Sequence, residues 1–521
     1  MTQTSTDEMR LELGAPGMTA LHRVGLAGLW MTLDAFARGG IGLRGGSWEK
    51  DSRSVTLRWT GDPRAFLDDL LRRSFRVDAQ GLVWFAALGA PLDHPQHAVA
   101  LHKSMLGSFL QHGKSRRNRR EPGVLSVEVD EQPFAIPFKA LADYNHQSAA
   151  GDLVSGGRLA RDVTLAGWQF PGGAVRHVGF SAHTALTESA GRALLLLFAP
   201  VGCIHFCMRQ RKEGKNSIRA QSAVVVPEVT DLDVYAEARA DFLGAGVLEL
   251  HCAGAAEAAW RVLSRWHAKG LLRRLGLTGC RVMSFGAVPW VKSQKIRVAL
   301  ATVRPGREQD IETFALCQAA LPARLVRPEG KEPFVDVPAT PGLVAMNLGA
   351  GRPWYAGFAA LLGDKRRRAH VFRYEKGGLH QMVTTRGQFD DEARRAFVMA
   401  CHEAWRRRMG QLGGRARREN ISFSTLVSRE FERQRVAFSR CKNAATLRKE
   451  VTDFWARAGR LQQLAGWADL LPLLGEDGWQ EARDLALLAL ASYQPASEDE
   501  KRALDEAVST AEQGDEEGEA E

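Results

Sequence analysis

Cysteine is scarce in this chain of 521 residues: seven, at positions 203, 207, 252, 280, 317, 401 and 441. An odd number spread over so long a chain excludes a disulfide framework as the organising device and fits a reducing compartment. Long apolar runs are missing too. The longest, Ala193 to Pro200, falls well short of the roughly 20 residues a membrane helix needs, which argues against membrane insertion and reads as a buried strand. The opening MTQTSTDEMRLELG lacks the basic-then-apolar order of a secretory signal, so a cytoplasmic location is expected.

Catalytic signatures are absent in the same way. No GxxxxGK[ST] string supports nucleotide hydrolysis, and neither HGGG nor GxSxG occurs. FPGGAVRH and LVSGG are glycine-bearing turns outside any strand-GxGxxG-helix setting. His177 and His183 lie near Glu188, and His146 follows Tyr144 and Asn145, so a metal-dependent nuclease acting on DNA or RNA can be assembled on paper. Isolated groups of this kind near turns are ordinarily structural or surface residues. Cys203, His205 and Cys207 alternate, so on a strand they share a face that suits a soft metal. No second pair completes a tetrahedral set, so a buried strand with cysteines acting as small hydrophobes is the favoured reading of the string. The expectation is a protein that is not an enzyme and carries neither cofactor nor metal.

Charge is what the sequence has. The formal net charge is +10, although the last 25 residues hold 11 acidic and 2 basic groups, a net −9 that leaves +19 for residues 1–496. So basic a body attracts polyanions through its summed field and through counterion release from phosphates. An anionic membrane surface competes as partner, but no strongly amphipathic basic helix sits at either terminus to favour it. Between Arg406 and Arg460 there are 15 Lys or Arg against 5 Asp or Glu. Arg429, Arg433 and Arg440 fall on one helical stripe there, an arrangement that binds phosphate backbone without reading sequence. The competing reading is a solvated face with intrahelical pairs such as Glu430 with Arg433. A second cluster, HGKSRRNRREPG, places Lys114, Arg116, Arg117, Asn118, Arg119 and Arg120 in a loop, where Arg and Asn suit base edges; a mobile solvated loop is the plain alternative. Weaker candidates are Arg211, Lys212, Lys215 and Asn216 at a hairpin tip, Lys292 and Lys295 in VKSQKIR, and the run Asp364 to Lys376.

The pattern along the chain is α+β: a mixed α/β N-terminal region to about residue 400, an all-α bundle over 401–495, and an acidic, disordered tail over 496–521. RSVTLRWT alternates Val55, Leu57 and Trp59 as a half-buried strand, and Asp62-Pro63 opens a helix. The apolar runs flanking KEGKN form a hairpin. Thr230 with Asp233 caps the helix DLDVYAEARADFLG. Further on, Phe423, Val427, Phe431 and Phe438, then Leu447, Val451, Phe454 and Trp455, recur at helical spacing.

Several long strings carry a resemblance. PGMTALHRVGLAGLWMTL, GWQFPGGAVRH, VVVPEVTDLDVYAEAR, SREFERQRVAFSRCKNAATLRKEVTDFWARAG and DLALLALASY resemble the large subunit of myxobacterial-type, type I CRISPR effector (Cascade) complexes, over about residues 10 to 495. The resemblance implies a non-catalytic subunit of a CRISPR-RNA-guided surveillance complex. Its implied partners are CRISPR RNA, target double-stranded DNA, the backbone, guide-5′-end and small subunits, and a helicase-nuclease, with no membrane. It implies recognition of the motif flanking the target, R-loop stabilisation, and a C-terminal bundle similar to the small subunit. An RNA-binding backbone subunit of the same complex is the alternative, disfavoured by that bundle. Internal translation from Met399 or Met409 would yield roughly the bundle alone.

Overall fold

The computed structural model describes residues 6–171, 186–208, 221–276, 279–287, 297–330, 332–385, 387–389, 391–462, 467–495 and 498–506. The chain forms two compact units, Met1–Pro305 with Ala323–Val337, and Gly306–Pro322 with Pro338–Glu521.

In the first unit, β1 (Thr6–Glu12), α1 (Ala20–Arg38), β2 (Gly46–Lys50) and β3 (Ser54–Thr60) come first, and the three strands form an antiparallel sheet with β3 central. Val55, Leu57 and Trp59 are buried as their alternation predicts. Asp62 then caps α2 (Pro63–Ser74) by accepting the Arg64 N–H, with Pro63 at the first helical position. After α3 (Pro95–Gly107), the triplet Arg116–Asn118 forms β4. The hairpin β5 (Gly123–Val129) and β6 (Gln132–Phe138) turns through Asp130 and Glu131, both at positive φ (52° and 59°), and β7 (Leu141–Tyr144) pairs back onto β4. Leu125, Val127, Phe134, Ile136 and Phe138 bury one face of the hairpin against Leu82 and Val99.

The apolar run Ala193 to Pro200, expected as a strand, lies in helix α4 (Ala190–Gly202), capped by Ser189. Its residues are buried on every side, so the run shows no helical stripe. α4 packs backbone to backbone on α1. A Cβ at Gly25 would stand 2.0 Å from the Leu195 carbonyl oxygen, one at Gly28 2.3 Å from that of Phe198, and one at Gly202 2.1 Å from that of Val24.

The hairpin around KEGKN is present as β8 (Ile204–Met208) with β9 (Gln221–Pro227). α5 (Leu232–Asp241) is capped by Asp231 rather than Thr230: the Asp231 carboxylate accepts the Asp233 and Val234 N–H groups, while the Thr230 hydroxyl donates to the Leu275 carbonyl. α6 (Ala255–Ala268), β10 (Cys280–Ala287) and β11 (Arg297–Val303) complete a five-stranded sheet ordered His251–Cys252, β8, β9, β10, β11, parallel only at its first pair.

The second unit is helical: α7 (Glu308–Ala320), α8 (Thr340–Gly349), α9 (Lys376–Thr384), α10 (Glu392–Glu419), α11 (Phe423–Arg440), α12 (Ala444–Ala458) and α13 (Trp479–Ser492). The boundary expected at residue 400 lies inside α10. α13 is buried over nearly its whole length, and Trp405 of α10 meets the rings of Phe431, Phe454 and Tyr493. The acidic tail, expected to be disordered from 496, is helical over 498–506. Ala503 and Leu504 are buried there, and Asp505 pairs with Lys376 at 3.1 Å. Two apolar side chains on one turn suffice to seat this segment, and i,i+3 pairs of Lys501 with Glu498 and Arg502 with Asp499 support it. Among the described residues no helix is long and apolar enough to cross a membrane.

Candidate nucleic-acid interface

The helical unit presents its cations on a rigid surface. Leu426, Val427, Phe431 and Phe438 turn α11 inward, and the register is locked by buried polar contacts. Glu430, only 7% exposed, pairs with Arg408 of α10 at 3.1 Å, and Gln434 accepts from the Arg457 guanidinium of α12 at 2.9 Å. With these two groups committed inward, Arg429, Arg433 and Arg440 point outward and are exposed. The intrahelical pair of Glu430 with Arg433, part of the competing reading, is not among the ion pairs of the described residues: Glu430 is held by Arg408.

Of the 15 cations between Arg406 and Arg460, four are ion-paired: Arg407 with Glu403, Arg408 with Glu430, Arg415 with Glu419 and Arg435 with Glu432. The other eleven have no ion pair among the described residues. Burial pulls the Arg457 guanidinium below its ordinary value, and the positive charge of Arg433 adds to that pull. Arg448 and Lys449 of α12, also exposed, were hidden within the total charge and had no stripe to single them out.

The cluster in the first unit is built differently from the loop expected. Arg116, Arg117 and Asn118 are a strand, because backbone pairing to β7 fixes them despite the lack of apolar alternation. Arg117 pairs with Asp143 at 2.5 Å. Arg116 is half-buried, its guanidinium aimed at the Leu106 carbonyl and its pKa lowered by burial. Arg119 donates to the Ala79 carbonyl at 2.7 Å and to that of Asp78 at 3.3 Å. Lys114 and Arg120 are exposed with no side-chain partner among the described residues. Arg119, Arg120, Lys139 and one carboxylate, Glu121, border a groove of about 380 Å³ that Pro122, Pro137 and Phe138 also line. Lys139 escaped the sequence reading because it is distant from the arginine run and arrives through the β6–β7 connection.

Arg211, Lys212, Lys215, Asn216, Lys292 and Lys295 lie outside the described residues, as do His177 and His183. Lys365 to His370 form a short helix capped by Asp364. His146 is fully buried among Phe75, Tyr144 and Trp168, and burial lowers its pKa to about 3. Cys203, His205 and Cys207 are buried as well: His205 meets the Pro200 carbonyl at 2.9 Å and the Ser104 hydroxyl at 3.2 Å, and burial pushes the Cys207 thiol up to about 11. Groups buried in this way, His205 with internal hydrogen bonds and His146 within an aromatic cage, suit packing. Among the described residues no group of three or more His, Cys, Asp or Glu is placed to hold a metal ion.

Cations without an ion pair among the described residues thus stand on a helical surface of one unit and beside a groove of the other, an arrangement that suits a polyanion-binding class of protein. Comparison with known proteins narrows that class: residues 10–197 match the DevT N-terminal domain and residues 386–520 the DevT C-terminal domain. The CRISPR-associated protein Cas8a1/Csx13 of Myxococcus xanthus (strain DK1622) is 31% identical over 520 residues, covering 93% of this chain and 88% of the relative. The chain belongs to the Cas8a1/Csx13 family of CRISPR-associated proteins, the myxobacterial-type large subunits that its sequence strings resemble.

Proposed function

We propose that the chain is the non-catalytic large subunit of a CRISPR-RNA-guided type I surveillance complex in the cytoplasm, where it recognises the protospacer-adjacent motif, stabilises the R-loop and recruits the helicase-nuclease. Guide pairing supplies sequence recognition in such a system, and protein reads only a short flanking motif and holds backbone. The observation that carries the reading is the set of eleven cations over Arg406 to Arg460 that have no ion pair among the described residues, three of them aligned on α11. The bundle of residues 401–495 holds the displaced strand, as a small subunit would. The first 400 residues dock the 5′ end of the guide and read the flanking motif, with Lys114, Arg120 and Lys139 reaching DNA while Arg119 braces the groove and Arg116 and Arg117 hold the strand beside it.

The test is a complex assembled with guide RNA and partner subunits, carrying Lys114→Ala, Arg120→Ala and Lys139→Ala together. Binding to targets that differ only in the flanking motif should lose about tenfold or more of its discrimination, as expected when contacts worth roughly 1–3 kcal/mol each are removed. Unchanged preference in an intact complex refutes this groove as the reader. Cleavage of labelled DNA by the pure chain with Mg²⁺ or Mn²⁺, abolished by His177→Ala or His183→Ala, refutes the non-catalytic role and supports a nuclease.

A further inference from the structure

Residues 507–521 contain six carboxylates, Glu512, Asp515, Glu516, Glu517, Glu519 and Glu521, and no Lys or Arg. They follow a helix, 498–506, that is seated on the same unit as the basic face by buried Ala503 and Leu504 and by the Asp505–Lys376 pair. The segment therefore departs from a fixed point. That point lies toward the start of the basic stretch: Tyr493, five residues ahead of this helix, meets the rings of His402 and Trp405 of α10, just ahead of Arg406. Fifteen residues can span about 50 Å, whereas the 18 residues of α11 extend about 27 Å.

We infer that residues 507–521 dock on the cationic face formed by α11 and α12 of the same chain and are displaced from it by nucleic-acid phosphates. The occupant is chosen by charge complementarity: a segment whose only charged side chains are carboxylates, set against Arg429, Arg433, Arg440, Arg448 and Lys449, which have no ion pair among the described residues. The tether raises the local concentration of those carboxylates to the millimolar range, so a weak, salt-sensitive contact is kept occupied until a denser polyanion arrives. Short or weak single-stranded contacts are rejected, and a strand already delivered by guide pairing is accepted. This inference rests on the proposed nucleic-acid role of the face.

The experiment compares the full chain, a chain ending at Glu506, and a full chain with the six carboxylates replaced by Gln or Asn, using a fluorescent duplex of arbitrary sequence. At about 50 mM salt both altered chains should bind about tenfold tighter than the full chain, and all three should converge near 0.5 M, where screening removes the contact. Zero-length carbodiimide coupling of the full chain should join tail carboxylates to Lys442 or Lys449, and added duplex should suppress those products. Equal affinities at low salt, or coupling only to lysines elsewhere, overturn the inference. The chain ending at Glu506 with Arg429→Ala, Arg433→Ala and Arg440→Ala separates the two ideas. If those substitutions weaken binding while tail removal changes nothing, only the tail inference fails; if they leave binding intact, the DNA-holding role of the face fails with it.

Discussion

Replacing Arg429, Arg433 and Arg440 together by Ala should flatten the salt dependence of DNA binding by a calculable amount. The three guanidinium groups are exposed and unpaired among the described residues, so each can neutralise one phosphate and release its counterions. Each such contact steepens the fall of log affinity with log salt by about 0.9 on duplex and about 0.7 on a single strand, so the loss of three lowers the slope by about 2.7 or about 2.1. Between about 50 and 200 mM salt the parent should therefore lose roughly 40-fold more affinity than the variant on duplex, and roughly 18-fold more on a single strand. Fluorescence anisotropy at four salt concentrations, in the chain ending at Glu506 so that the tail does not compete, measures both. The inward face of α11 is untouched, so its thermal unfolding should not move, and Ala favours helix. The larger effect should appear with whichever strand geometry the face holds. Parallel salt plots for parent and variant, on both substrates, would refute the reasoning and take the bundle out of the DNA path.

Two further outcomes test the fold beneath the site. Gly25→Ala places a methyl 2.0 Å from the Leu195 carbonyl oxygen, a backbone atom that cannot step aside, so it should cost about 3 kcal/mol or more, while Gly14→Ala, with nothing within 4 Å, should leave the melting temperature unchanged. Acid should unfold the first unit early. His102 and His251 are held at about 4 and His146 and His205 at about 3 by burial. The unfolded chain, with histidines near 6.5, therefore binds more protons, and stability present at neutral pH is lost as pH falls from about 6.5 toward those lower values, by about 2 kcal/mol per histidine at pH 5. Thermal melts at neutral pH and pH 5 should differ widely. His146→Phe, which removes two ring nitrogens without hydrogen-bond partners from an aromatic cage, should narrow the gap; identical melts at both pH values would contradict the burial argument.

Strands with one wet face and helices with one dry stripe were legible in the sequence, because there the pattern records a single boundary between core and solvent. α11 and α12 are of that kind; β3 is so only toward its end, Ser54 and Thr56 being buried beside Val55 and Leu57. α4 is buried all round, so its run Ala193 to Pro200 carries no periodicity, and apolarity alone does not separate helix from strand. β4 is the opposite case, a charged triplet made a strand only by the backbone of Leu141–Tyr144. The outward stripe of Arg429, Arg433 and Arg440 was visible from spacing. The groove was not, because Lys139 meets Arg119 and Arg120 through a hairpin whose register is set by tertiary packing. Nor does local pattern show that residues 323–337 return to the first unit before the helices resume.

The same contacts decide how separable the basic face is. A product beginning at Met409 would lack Trp405, the ring on which Phe431, Phe454 and Tyr493 converge, and would start in the middle of α10 at a residue with no exposed surface. One beginning at Met399 keeps Trp405 but loses Phe397, which packs edge-on against Trp455. Either start also strips the cover from α13. Asp484, buried with its pKa raised by desolvation, accepts the Gly357 and Ala359 N–H groups, and Glu481 is held by Tyr355 and Arg394. Without residues 355–394 those carboxylates lose their donors, and the apolar side chains of α13 that the missing segment covers are left facing water. The cations of α11 are aligned because Glu430 and Gln434 are drawn into this same core. The face is thus a property of the whole helical unit, and an internally initiated fragment would present it only after replacing the lost helices with those of another chain.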